Sequence, residues 1–179
     1  SIYVVSLLQI CCIMTNINKR TSPFNTKRSI KKAAGRRSIT RSWNIKSGEK
    51  IITWSNTMER VMISRQGIPY TSIEILSNRL DRPVKNMLVL LGIPQTTYNK
   101  KKNEDSLLDS RDSELLLMIT ELLDYGLDVF NDEKEKFQRW LKKPNLSLGG
   151  NSPESLLDTT TGIDEVNYAL NKIEFGNFA

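Results

Sequence analysis

Residues 70–103 read YTSIEILSNRLDRPVKNMLVLLGIPQTTYNKKKN, and the fold turns on how this stretch is punctuated. Thr71 followed three residues later by Glu74 has the spacing of a capping box, in which hydroxyl and carboxylate satisfy orphan N–H groups at a helix start. Ile73, Leu76 and Leu80 then share one face of a short helix. A second helix is expected from Pro83, because a first turn has no use for the N–H that proline lacks. Val84, Met87, Leu88 and Leu91 recur at i, i+3, i+4, i+7 and make it amphipathic. Gly92 ends it, since glycine enters the left-handed conformation without a Cβ clash. A third helix starts near Pro94. Helix, glycine-containing turn, helix is the helix-turn-helix layout, which presents its second helix to the DNA major groove.

The expected recognition helix is residues 94–103, PQTTYNKKKN. Gln95, Thr96, Thr97 and Asn99 are the candidate base-edge readers, with the amides suited to adenine. Lys100, Lys101 and Lys102 are candidates for phosphates, which position a protein without specifying sequence. Tyr98 is expected to pack inward.

The charge distribution agrees with a polyanionic partner for this half of the chain. The 179 residues carry a net +6, but unevenly. Residues 1–60 hold twelve Lys/Arg against two Asp/Glu, residues 61–102 seven against two, and residues 103–179 seven against sixteen. Such a split suggests a basic half for nucleic acid and an acidic half with another role. Residues 1–50 are expected to be a basic, mostly unstructured tail adding phosphate contacts. The apolar opening, residues 1–13, is too short to cross a bilayer as a helix and lacks the flanks of a secretory signal. Translation from Met14 is the expectation.

Catalysis is disfavoured. There is no histidine, which removes the commonest general base and metal ligand. The two cysteines, Cys11 and Cys12, are adjacent and build no disulfide framework, which points to a reducing, cytoplasmic setting. No membrane partner is expected. An enzyme using Asp158, Asp164 and Glu165 is a third reading, but those carboxylates read better as caps and surface charges. No catalytic residue, metal site or cofactor is expected.

Beyond residue 103 two more helices are patterned. Leu115, Leu116, Ile119, Leu122, Leu123 and Phe130 form a broad apolar stripe, capped by Asp112 or Ser113, with Gly126 as a weak point. Phe137, Trp140 and Leu141 form the apolar face of the next, which Pro144 stops. Gly149 and Gly150 make a left-handed or flexible turn without the lysine or spacing of a phosphate loop. Ser152, Pro153 and Glu154 open a short helix. Thr161 with Asp164 opens the last one, striped by Ile163, Val166, Leu170 and Ile173 and ended by Gly176. Phe175 and Phe178 call for a burial site, and packing on the chain's own core is the simpler of the two options, a partner's groove being the other.

Residues 137–179, FQRWLKKPNLSLGGNSPESLLDTTTGIDEVNYALNKIEFGNFA, resemble the C-terminal domain of Xre-type antitoxins paired with RES-domain toxins. The resemblance rests on Trp140 and Leu141, on Pro144, Asn145, Leu148, Gly149, Gly150, Ser152 and Pro153, and on the run Leu156 to Thr159 with Gly162. It continues through Val166, Ile173, Glu174, Gly176, Phe178 and Ala179. It is weaker upstream to about residue 72 and does not cover residues 1–60.

The resemblance implies an all-α protein with an Xre-like helix-turn-helix domain (residues 51–132) and a small helical toxin-binding domain (residues 133–179). It implies an antitoxin whose terminal helix blocks the active site of an NAD-consuming RES-domain toxin. It also implies repression of the operon's own promoter, and a homodimer within a larger toxin–antitoxin assembly. The toxin-binding residues it implies are Gly149, Gly150, Ser152, Glu165, Tyr168, Ile173, Glu174, Phe175, Gly176, Asn177, Phe178 and Ala179. The competing reading is a transcriptional regulator whose C-terminal domain only dimerises.

Overall fold

The computed structural model describes residues 41–47 and 50–176. The chain divides into two units between residues 39 and 40, and the description concerns the second. The readings of residues 1–40, including the start at Met14, lie outside the described residues, as do Asn177, Phe178 and Ala179.

Order begins earlier than residue 50. Trp43–Ser47 (β1) pairs antiparallel with Lys50–Trp54 (β2), bringing Trp43 opposite Trp54 and Ile45 opposite Ile52. Alternation explains the pair: Ile45 and Ser47 face inward while Asn44 and Lys46 face water. The indole rings of Trp43 and Trp54 stack with centroids 6.2 Å apart. The expected tail therefore stops short of this hairpin, whose short period-2 pattern was hidden among basic residues.

The remaining described chain is helical: α1 (Thr57–Gln66), α2 (Ser72–Leu80), α3 (Val84–Leu91), α4 (Gln95–Asn103), α5 (Ser110–Val129), α6 (Lys134–Lys142) and α7 (Thr160–Phe175). Two 3-10 turns, Leu146–Leu148 and Pro153–Leu156, lie between α6 and α7. Helix α1 was not anticipated. Its apolar pattern is weak, with Met58 and Met62 exposed, but Asn56 caps it by accepting from the Glu59 N–H.

Several helix ends differ from the pattern reading. The Thr71–Glu74 capping box does not form. Turn hydrogen bonds already run from Ser72 N–H to Pro69 O and from Ile73 N–H to Tyr70 O, so Thr71 is itself in helical conformation and cannot cap. Its hydroxyl instead bonds the Ser47 hydroxyl. Pro83 sits just outside α3, in extended conformation. Asp109, not Asp112 or Ser113, caps α5 by accepting the Asp112 N–H. Thr159, not Thr161, caps α7 by accepting the Gly162 N–H. Residues 153–156 form a 3-10 turn rather than an α-helix, and the Ser152 side chain makes no cap hydrogen bond there.

Helix α5 is the axis of the fold. Leu115, Leu116, Leu117, Met118, Ile119 and Thr120 are buried in succession, so this stretch is enclosed on all sides rather than along one stripe. Helices α1, α2 and α7 and strand β1 pack against it. One continuous apolar core results, running from Ile45 and Trp54 through Leu76 and Leu91 to Leu157, Val166 and Leu170.

Gly126 proves to be a packing requirement, not a weak point. A methyl group there would collide with the ring of Phe137, the buried anchor of α6. Phe137 in turn stacks with Trp140 and packs on Phe130. Gly126→Ala should therefore destabilise the fold by about 1–3 kcal/mol despite alanine's better helix propensity. Thermal unfolding checks this, and a Tm equal to or above wild type would refute the packing role.

Candidate functional site

The helix-turn-helix forms as α3, the turn Gly92-Ile93-Pro94, and α4. Gly92 adopts φ 70° and closes a Schellman turn, with its N–H on Val89 O at 3.1 Å and the Ile93 N–H on Leu88 O at 2.9 Å. Pro94 then enters α4 in extended conformation. Tyr98, 4% exposed, seats α4 on α2 and lies against Tyr70 at 6.3 Å between centroids.

The candidate DNA-binding residues fall into two groups. Gln95, Thr96, Thr97, Asn99 and Lys100 are exposed. Gln95 Nε2 donates to Asn99 Oδ1 at 3.0 Å, which fixes the two amides relative to one another one turn apart. Lys101 is half-buried, with Nζ 3.9 Å from Glu104. Lys102 turns back into the domain, where its Nζ lies 2.5 Å from Glu74 Oε1 and 6.0 Å over the Tyr98 ring.

Glu74 thus serves as a bracket for α4 rather than a cap for α2. The same Oε1 accepts the Tyr98 hydroxyl at 3.0 Å. The Lys102 bond, and secondarily the Tyr98 bond, hold the Glu74 carboxyl below its ordinary value of 4.5. Burial, reinforced by Glu74, pushes the Tyr98 phenol up to about 12. The bracket is ionic at neutral pH.

The C-terminal candidates lie on the turns after α6 and on α7. Gly149 and Gly150 are both left-handed, at φ 65° and 82°, and exposed. Asn145 closes this turn: its N–H donates to Asn151 O, its carbonyl accepts the Gly150 N–H at 2.9 Å, and its Oδ1 accepts the Ser147 N–H at 3.0 Å. Ser152 is half-buried, and its carbonyl accepts the Ser155 hydroxyl at 2.7 Å.

Helix α7 has two unlike faces. Ile163, Val166 and Leu170 are fully buried in the core. Asp164, Glu165, Tyr168, Asn171 and Phe175 are exposed, Tyr168 by 58% and Phe175 by 70%. The expectation that Phe175 packs on the chain's own core is therefore corrected. Its position follows the last buried residue of that stripe, Leu170, by five residues, which puts it on the opposite side. Lys172 Nζ stands 4.5 Å over the Tyr168 ring. Ile173 and Glu174 are half-buried, and the Tyr125 hydroxyl lies 2.6 Å from both Glu174 Oε2 and Asn171 Oδ1. Gly176 ends the helix at φ 70° with its N–H on Lys172 O.

Comparison with known proteins follows this division. Residues 59–120 match the family described as the antitoxin Xre-like helix-turn-helix domain, and residues 126–176 match the antitoxin Xre/MbcA/ParS C-terminal toxin-binding domain. The chain belongs to the Xre antitoxin family. It is 28% identical over 114 residues to an antitoxin Xre of Photorhabdus laumondii, covering 64% of this chain and 77% of that protein. It is 31% identical over 97 residues to an antitoxin Xre of Yersinia enterocolitica, covering 54% and 66%. A Sphingobium protein named Prs ADP-ribosylating antitoxin is 28% identical over 138 residues, covering 73% and 87%. The hairpin precedes both matched segments. Among the described residues no helix is long and apolar enough to cross a membrane, and no cluster of three His, Cys, Asp or Glu could hold a metal.

Sequence reading missed Leu146, which is 95% exposed beside the glycine turn. It also missed the engagement of Lys102 and Glu174 inside the molecule. Neither is written in local sequence, because Glu74 and Tyr125 reach them from helices far away in the chain.

Two outcomes follow. Lys100→Ala should lower the salt slope of DNA binding by about 1, whereas Lys102→Ala should loosen α4 and lower Tm. An equal slope change in both would remove the distinction. The Glu74 bracket stabilises the fold above the ordinary carboxyl range, and that contribution is lost as pH falls through the lowered value. Acid unfolding of wild type and Glu74→Gln should therefore converge once pH falls below that lowered value; a gap that persists there would show the bracket is not ionic.

Proposed function

We propose that this Xre-family protein neutralises a RES-domain toxin that consumes NAD by placing α7, and the residues after it, in the toxin's active-site cleft. Its helix-turn-helix binds the promoter of its own operon and represses it. The domain division we adopt is residues 51–132 for DNA and residues 133–179 for the toxin. The chain works in the cytoplasm, by binding rather than catalysis, as a homodimer inside a larger toxin–antitoxin assembly.

The observation that carries this reading is the pair Tyr168 and Phe175. They stand two helical turns apart on the outer face of a helix whose inner face is locked in the core. Exposed aromatics at i, i+7 are the pattern of a helix laid into a groove, and aromatic anchors dominate such interfaces. Gly176 then ends the helix, one residue after Phe175. The DNA reading is supported by the exposed row Gln95, Thr96, Asn99 and Lys100 on α4.

The name of the Sphingobium relative couples its antitoxin to ADP-ribosylation, a reaction that uses NAD as donor. This favours transfer of ADP-ribose as the activity opposed.

Because Ile163, Val166 and Leu170 belong to the core, deleting α7 would unfold the domain, and point substitutions on its outer face are the sharper test. The chain is expressed with the product of the neighbouring gene, growth is followed, and the two are co-purified. Phe175→Ala and Tyr168→Ala should each weaken the complex by about tenfold or more and leave Tm unchanged. Full protection of cells by the double variant would sink the α7 plug.

A further inference from the structure

We infer that Leu146 is a second apolar anchor for the toxin, separate from α7 and held out on a pre-organised turn. The inference rests on the toxin-binding reading of residues 126–176 and adds to it a contact point on a different element.

A single exposed leucine means little by itself, because folded surfaces carry much apolar area. Leu146 differs in how it is held. It opens the 3-10 turn Leu146–Leu148, and the two leucines of that turn point opposite ways: Leu148 is 8% exposed and anchors the turn in the core, while Leu146 is 95% exposed. The Asn145 side chain accepts from the Ser147 N–H at 3.0 Å and from the Ser147 hydroxyl at 2.9 Å. Backbone bonds from Leu148 and Gly150 N–H to Asn145 O, and from Asn145 N–H to Asn151 O, fasten the loop at both ends. Leu146's own carbonyl accepts the Gly149 N–H at 3.1 Å. The backbone that carries the side chain is therefore ordered before any partner arrives, so binding loses less conformational freedom there.

The occupant is argued from position and charge. The turn packs directly against α7 and lies inside the segment matched to the toxin-binding domain, so it is continuous with that surface. Residues 144–153, PNLSLGGNSP, carry no charge in an otherwise charged C-terminal half. An apolar tip ringed by Asn, Ser and Gly has the composition of an interface anchor: one side chain to desolvate, with small neutral neighbours that let another surface come close. Gly149 and Gly150 supply that close approach, since neither has a side chain between backbone and partner. We take the pocket on the toxin to be an apolar one, sized for a single aliphatic side chain.

The test uses the full chain and the purified product of the neighbouring toxin gene, with affinity measured by titration calorimetry. Leu146→Asp should raise Kd roughly tenfold or more, the loss expected for one buried leucine. Leu146→Met should bind within about threefold of wild type, because thioether and isobutyl groups fill similar volume. Tm should be unchanged in both, since the side chain is 95% exposed in the free protein. Wild-type affinity in Leu146→Asp overturns the anchor while leaving the α7 plug intact, provided Phe175→Ala still weakens binding. A Leu146→Asp effect on self-association but not on toxin affinity also overturns it and assigns the leucine to a second copy of this chain. If wild type forms no complex at all, the toxin reading falls and the anchor falls with it.

Discussion

The described fold leans on the enclosure of α5. Six consecutive residues of one helix, from Leu115 to Thr120, have no face left for water, so they need neighbours on every side. The hairpin and α1 supply one wall, α2 another and α7 a third. The two buried polar side chains of this helix are matched. Ser113 Oγ accepts the Ile68 N–H at 3.2 Å, and Thr120 Oγ1 donates to Leu116 O at 2.9 Å. Glu121 gathers Trp54 Nε1 at 2.7 Å and an Arg60 guanidinium nitrogen at 2.6 Å. That last carboxylate ties hairpin, α1 and α5 at a single point.

One consequence is that the helix-turn-helix and the C-terminal part are not beads on a string. They share α5, and they also meet at the corner between α2 and α3. Arg82 pairs with Glu154 at 2.5 Å, Arg79 pairs with Asp124, Lys142 lies 3.7 Å from Asp81, and Gln138 Nε2 donates to Arg79 O at 3.0 Å. The uneven charge along the chain thus has an internal use: part of the basic half docks on part of the acidic half. Such half-exposed pairs are each worth up to about 1 kcal/mol, so they orient more than they stabilise.

Helix α7 shows how burial sorts residues of similar chemistry into different roles. Ile163, Val166 and Leu170 stabilise the fold, while Tyr168 and Phe175, equally apolar by composition, are left in water. Glu174 and Asn171 are held by Tyr125, which leaves Tyr168 and Phe175 as the exposed aromatics of the helix. The same sorting separates the three lysines of α4: Lys100 faces solvent and Lys102 serves the fold.

Periodicity and punctuation in the sequence determined α2 through α7 and the glycine turns at residues 92, 149 and 176, because those features depend on spacing of a few residues. The glycine-proline motif of residues 144–153 was specific enough to point to a family. What tertiary structure alone decided are contacts between residues far apart in the chain. Whether Glu74 caps its own helix or brackets another depends on where Lys102 arrives. Whether Gly126 weakens a helix or admits a ring depends on Phe137. Whether Phe175 is core or surface depends on the rotation of α7 about a stripe that Leu170 closes. Local sequence limits what each residue can do, and packing selects one of those options, since burial is a property of the assembled neighbours and not of the residue.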